Sequence, residues 1–158
     1  MTTRRDFLKT MTMASAGLAL GAGDILANPT FASQRKITDK VKIAYVGIGN
    51  RGEQIIGDFA RTGMVEVVAL CDVDMGAPHT QKVMNLYPKA KRFRDFRQMF
   101  DKAGNEFDAV AIATPDHSHF PISMLALASG KHVYVEKPLA RTFYEGELLM
   151  QAALKRPN

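Results

Sequence analysis

The sequence predicts a doubly wound α/β domain with a parallel sheet, on three observations. Short apolar runs rich in β-branched residues alternate with helix-like segments from Val41 onward. The runs are apolar at nearly every position, as strands covered on both faces require. The segments between them are long enough for crossover helices, which set neighbouring strands parallel.

The elements follow in order. The first strand is Val41 to Val46, and a helix from about Gly52 to Thr62 closes at Gly63. The second strand is Val65 to Cys71, with a helix around Ala77 to Leu86 after it. A short extended piece near Arg92 and Phe93 precedes a helix from about Asp95 to Ala103, closed by Gly104. The next strand is Asp108 to Thr114, its helix runs from about Phe120 to Ser129, and Gly130 ends it. The last strand is His132 to Val135, and Thr142 to Lys155 reads as a helix with Thr142 as N-cap. Glycine after three of these helices suits the left-handed conformation that closes a helix.

Length and charge narrow the classes. A chain of 158 residues holds one ordinary domain, not two sizeable ones. The net charge of +5 is concentrated at the start: six of 21 Lys/Arg and three of 16 Asp/Glu lie in residues 1–40, leaving 15 against 13. The densest basic stretch, Lys89, Lys91, Arg92, Arg94, Arg97 and Lys102, is interrupted by Asp95 and Asp101 and lacks spaced stacking aromatics. It reads as a solvated helix face, and no nucleic-acid partner is expected. One cysteine, Cys71, excludes an intrachain disulfide and a cysteine-based zinc cluster, and no metal site is expected. Cys71 reads as a small buried hydrophobe.

Residues 1–32 read as an address. Thr3-Arg4-Arg5-Asp6-Phe7-Leu8-Lys9 precedes a mildly apolar, small-residue stretch from Met11 to Ala22, which resembles a twin-arginine export signal. The stretch is too short and too rich in Gly, Ala, Ser and Thr for a membrane span, which needs roughly 20 strongly apolar residues. Residues 33–40 form a linker and residues 41–158 the domain. The expected location is the periplasm or another exported compartment, reached through the twin-arginine machinery.

The first strand leads into Gly47-Ile48-Gly49-Asn50-Arg51-Gly52 and then a helix, the setting in which a G-x-G-x-x-G run binds a dinucleotide. Gly47 permits the tight turn, Gly49 the approach of a pyrophosphate to the backbone, and Gly52 close packing of helix on strand. The phosphates would face the unbonded amides and positive dipole end of that helix. Twenty residues past Gly52, the second strand ends at Asp72-Val73-Asp74, where an acid accepts hydrogen bonds from a ribose. Asp72 is the candidate, and Asp74 reads as a helix cap. An acid there favours NAD over NADP, whose 2'-phosphate would meet like charge, and no Arg or Lys follows until Lys82.

Two further strand ends carry Ala113-Thr114-Pro115-Asp116-His117-Ser118-His119 and Glu136-Lys137-Pro138. With GIGNRG, CDVD, ATPDHSH and EKPLA in this order, residues 41–158 resemble the N-terminal domain of the glucose-fructose oxidoreductase, inositol dehydrogenase and MocA family. The resemblance implies a Rossmann-type fold and places Lys137, the candidate catalytic residue, beside the nicotinamide and the substrate hydroxyl. It implies that Glu136 and Pro138 shape the lysine loop, with a cis Lys137-Pro138 bond. Thr114, Pro115 and His119 match the family's loop after the fourth main strand, whereas Asp116 replaces its asparagine. His117 and His119 otherwise serve only to cap or pad the next helix. Cofactor contacts are expected from Gly47, Gly49, Asn50, Arg51, Gly52, Asp72, Thr114, Pro115, His119, Glu136 and Lys137.

Family members continue into a substrate-binding domain that supplies an Asp and a His, and this domain is expected to lie beyond the present chain. The leading expectation is a full-length oxidoreductase, homo-oligomeric, that moves a hydride between NAD and a secondary hydroxyl of a sugar, cyclitol or sugar derivative. One alternative is an NAD-using glycosidase that acts by transient oxidation and elimination. The other is a non-catalytic dinucleotide-binding fragment.

Overall fold

The computed structural model describes residues 40–155. The stretches expected to form an export signal and a linker, up to residue 39, lie outside the described residues. Among the described residues five strands alternate with five α-helices: β1 Val41–Val46, α1 Arg51–Arg61, β2 Val65–Cys71, α2 Pro78–Leu86, β3 Lys91–Phe93, α3 Phe96–Ala103, β4 Ala109–Ile112, α4 Asp116–Ala128, β5 His132–Val135 and α5 Phe143–Leu154. All four strand pairs are parallel, in the order β3-β2-β1-β4-β5. The chain winds outward from β1 to β3, then crosses back to β4 on the other side. The reversal leaves a crevice beyond the carboxyl ends of β1 and β4, where ligands of such sheets bind.

The central strands β2, β1 and β4 bury both faces over most of their length, whereas the edge strands β3 and β5 stay partly exposed. Ile43, Tyr45 and Leu70 pack with Ile55 and Ile56 of α1 and with Val83 and Met84 of α2. Ala44, Val46, Val110 and Ile112 pack on the opposite side with Met99 and Phe100 of α3 and Ile122 of α4. Cys71 belongs to this second cluster at 2% exposure, and burial pushes its thiol up to about 12.

Three details differ from the sequence expectation. Gly63 and Gly130 are left-handed, with φ of +70° and +81°. Gly104, expected to do the same, is right-handed at φ −55° and continues α3 into a 3₁₀ turn, Gly104–Glu106. Strand β4 stops at Ile112, because Ala113 and Thr114 turn away beside the glycine loop after one last bond, from the Ala113 N–H to the Val46 carbonyl at 2.9 Å. Helix α4 starts at Asp116 rather than near Phe120. Pro115 is its N-cap, so Pro121 lies inside the helix and leaves the His117 carbonyl without a helical donor.

Candidate active site

The first wall of the crevice is backbone. Gly47 leaves β1 at φ +79°, and its N–H donates to the Cys71 carbonyl at 2.8 Å. A Cβ on Gly47 would lie 2.5 Å from the Ala113 carbonyl oxygen, and one on Gly52 would lie 1.9 Å from the Gly47 oxygen. Neither position has room for a side chain. The turn closes with the Gly52 N–H on the Gly49 carbonyl at 2.8 Å. Within it, Asn50 takes φ 48° and ψ −102°, a conformation that costs a non-glycine residue of order 1–3 kcal/mol. The Asn50 side chain makes no capping bond to α1. With the Gly52 N–H engaged in the turn, the Arg51 and Glu53 amides keep their donors for an anion.

Gly49 differs from its neighbours in the loop. The space its side chain would take is filled by His79 of α2, whose Cδ2 lies 2.2 Å from the ideal Cβ position. His79 is exposed and stands over the loop that sequence reasoning assigns to the pyrophosphate. No local motif marks it, since its approach to Gly49 arises from the packing of α2 beside α1.

Asp72 faces the same loop. Its Oδ2 accepts from the Ile48 N–H at 2.9 Å and its Oδ1 from the Asp74 N–H at 3.0 Å. The expected ribose acceptor is thus also a strut that fixes the glycine loop, and each oxygen keeps lone-pair capacity for a further donor. Asp74 Oδ1 accepts from Gly76 and Ala77 at 3.2 and 3.1 Å and so caps the turn before α2. Lys82 pairs with Glu53 at 2.5 Å, which holds α2 to α1 and engages the first cation after Asp72.

The other wall comes from the loops after β4 and β5. Thr114 carries a buried hydroxyl with no partner among the described residues. Pro115, Asp116 and His117 are exposed and border a groove of about 800 Å³ with Pro138, Ala140 and Arg141. His119 is 1% exposed and joins the two loops, with Nδ1 2.6 Å from the Pro138 carbonyl and Nε2 2.8 Å from the Thr114 carbonyl. Both partners can only accept. His119 is therefore a brace between loops, not helix padding.

Lys137 is exposed, and its bond to Pro138 is cis. Glu136 before it accepts from Arg51 at 2.9 Å and from Tyr134 Oη at 3.0 Å. The Arg51 hydrogen bond, then that of Tyr134, holds the Glu136 carboxyl below the usual carboxylate range. The Glu136 hydrogen bond likewise raises the Arg51 guanidinium and the Tyr134 phenol. The expected site residues thus gather at one sheet edge, the glycine loop and Asp72 on one side and Thr114, His119 and Lys137 on the other. Among the described residues no group of three His, Cys, Asp or Glu could hold a metal ion.

This arrangement has relatives. Residues 41–158 match the Gfo/Idh/MocA group, described as an oxidoreductase family with an NAD-binding Rossmann fold. The chain belongs to this family. An α-N-acetylgalactosaminidase of Shewanella oneidensis is 29% identical over 161 residues, 90% of this chain and 35% of that protein. Two solved structures share the fold. One is the WlbA dehydrogenase of Bordetella pertussis in complex with NADH and UDP-GlcNAcA, with a TM-score of 0.63 and 26% identity over 73% of this chain and 35% of that one. The other is the apo scyllo-inositol dehydrogenase of Lactobacillus casei, with a TM-score of 0.66 and 27% identity over 76% and 35%. The chain thus spans just over a third of the length of the relatives it matches.

The residues present fit the dinucleotide of this Gfo/Idh/MocA family. Gly47 and Gly52 leave no room for a Cβ, the Arg51 and Glu53 amides keep their donors, and among the described residues the Thr114 hydroxyl beside the glycine loop lacks a partner. Each is a feature that a bound pyrophosphate or ribose would use.

Proposed function

We propose that this chain is the NAD-binding domain of an exported oxidoreductase that moves a hydride between NAD and a secondary hydroxyl of a sugar, cyclitol or sugar derivative. The observation that carries this reading is the meeting of the glycine loop and the Lys137 loop at the reversal point of the sheet, linked by Arg51 and Glu136. Bound NAD supplies the hydride acceptor or donor. The α1 amides hold the pyrophosphate, and Asp72 accepts from the adenosine ribose while it pins Ile48. The Asp72 charge and the engagement of Lys82 by Glu53 disfavour the 2'-phosphate of NADP. Lys137 orients the substrate hydroxyl and assists movement of its proton as the C–H bond gives up its hydride. Asn50, Thr114 and Pro115 complete the cofactor wall, and Arg51, Glu136 and His119 brace it from behind through their bonds between loops.

A second reading is favoured by the likeness to the Shewanella α-N-acetylgalactosaminidase. Here the same domain oxidises a glycoside transiently, the glycosidic group is eliminated, water adds, and the cofactor returns to its starting state, so that the net reaction is hydrolysis. Full-length protein should be given a chromogenic N-acetyl-α-galactosaminide without added NAD, and separately a panel of sugars and cyclitols with NAD. Steady NADH formation supports net dehydrogenation, and chromophore release without net NADH supports hydrolysis. Neither product, with NAD still bound, leaves a dinucleotide-binding module.

Residues 1–32 would direct the folded protein through the twin-arginine route, and the full-length protein would assemble as a homo-oligomer. Replacing Arg4 and Arg5 by Lys should retain the protein in the cytoplasm on cell fractionation. Light scattering of the full-length protein tests the assembly.

A further inference from the structure

Lys137 is exposed on an irregular loop, and a lysine side chain has four rotatable bonds. Near-attack geometry tolerates little displacement, so something else must hold this residue. The structure anchors it on both sides. After it, the Pro138 carbonyl meets His119. Before it, the Glu136 N–H makes the last rung of the sheet, to the Ile112 carbonyl at 3.0 Å, and the Glu136 carboxylate gathers two donors on one oxygen.

Those donors reach back to α1. Strand alternation puts Tyr134 and Glu136 on one face of β5 and Val133 and Val135 on the other, with the second pair packed on the α3–α4 cluster. On the α1 face, Tyr134 stands edge-on to Phe59 with ring centroids 5.3 Å apart. Arg51, the first residue of α1, spans from Gln54 Oε1 at 3.1 Å to Glu136 at 2.9 Å. The Glu136 side chain keeps only 11% of its exposure, against 53% for Arg51. Residue 51 belongs to the turn proposed to receive the pyrophosphate. The residue next to Lys137 is therefore bound to the start of the cofactor helix across 85 positions of sequence.

We propose that Glu136 is a positioning residue that acts through Lys137, with Arg51 and Tyr134 holding it, so that the cofactor loop and the lysine loop move as one body. This rests on the reading of the site as an NAD site. A half-exposed ion pair adds little to stability, so the role should appear in chemistry and not in folding.

The test uses full-length protein with wild type, Glu136→Gln, Arg51→Lys, Tyr134→Phe and the Glu136→Gln/Arg51→Lys double variant. Glu136→Gln keeps the size and leaves a neutral oxygen for both donors. Single-turnover hydride transfer should fall by about 10-fold or more in Glu136→Gln while the NAD Kd stays within about 3-fold, because misplacement of a reacting group acts on the transition state. Tyr134→Phe should lose less. The double variant should be no slower than the worse single one, as members of one linked unit are not additive. A second readout does not need turnover: acetylation of Lys137, followed by mass spectrometry, with and without saturating NAD. NAD should protect Lys137 in wild type and protect it far less in Glu136→Gln. Transfer and protection both equal to wild type in Glu136→Gln would overturn the positioning role, as would a loss explained wholly by weaker NAD binding. A wild type with neither NAD protection nor NAD binding would instead remove the NAD-site reading itself, and this proposal with it.

Discussion

The loop after β1 and the loop after β5 both turn away from the carboxyl end of a parallel strand, yet they are held by different means. The first is a backbone object. Gly47 packs against the Ala113 carbonyl and Gly52 against that of Gly47, and the Gly47 and Ile48 amides are bonded to Cys71 and Asp72. The second is held by side chains: Arg51, Tyr134 and His119 reach it from other elements, and its own lysine is exposed. The first loop must present amides at fixed positions to an anion, and backbone packing provides that. The second must place one flexible amine, and only contacts from outside the loop can do so. Substitutions in the first loop should thus register mainly in stability, and those in the second mainly in chemistry.

Gly47→Ala should break the first loop most severely. The new Cβ would meet the Ala113 carbonyl at 2.5 Å in a left-handed residue, so strain and overpacking together should cost about 3 kcal/mol or more. Urea unfolding of wild type and variant measures this, and a variant of equal midpoint would contradict the packing argument. Lys137→Ala should show the opposite signature, with single-turnover transfer down roughly 100-fold, about 2.7 kcal/mol in the barrier, and an unchanged melting temperature. Equal loss of stability and rate would blur the contrast.

Asp72 tests both roles at one position. Asp72→Ala should narrow the preference for NAD over NADP, read by calorimetric titration of both. It should also destabilise the fold by about 1–3 kcal/mol, because the Ile48 N–H loses its acceptor. Asp72→Asn should restore much of the stability, since its amide oxygen still accepts from Ile48, while the altered cofactor preference remains. The smallest effect is expected at Asn50. Asn50→Gly relieves a strained φ and ψ and loses no capping bond, so the melting temperature should rise by the equivalent of about 1 kcal/mol after the added chain entropy is subtracted. A lower melting temperature would show that the Asn50 side chain contributes to the apo fold.

Elements that depend on neighbours in sequence were legible there. Strands β1, β2, β4 and β5 follow from their apolar runs, the α1 start from the glycine spacing, and the α5 start from Thr142, whose capping box with Glu145 the structure contains. Where local signals compete, the expectation slipped. The helix after β4 is expected from about Phe120, yet α4 begins at Asp116 with Pro115 as cap. Gly104 reads as a left-handed stop, yet it stays right-handed because the chain tightens into a 3₁₀ turn before β4.

By itself the sequence determined the alternation of strand and helix, the glycine turn, and the residue types present at each strand end. These depend on period, steric room and capping chemistry within a few positions. Only the tertiary structure decided that β1 lies between β2 and β4, and with it that Asp72 would bond Ile48, that His79 would cover Gly49, that His119 would brace two loops, and that Arg51 would find Glu136. The physical reason is that such contacts join residues up to 85 positions apart. Their formation depends on strand order and on which face each crossover helix covers, and no short-range pattern encodes either.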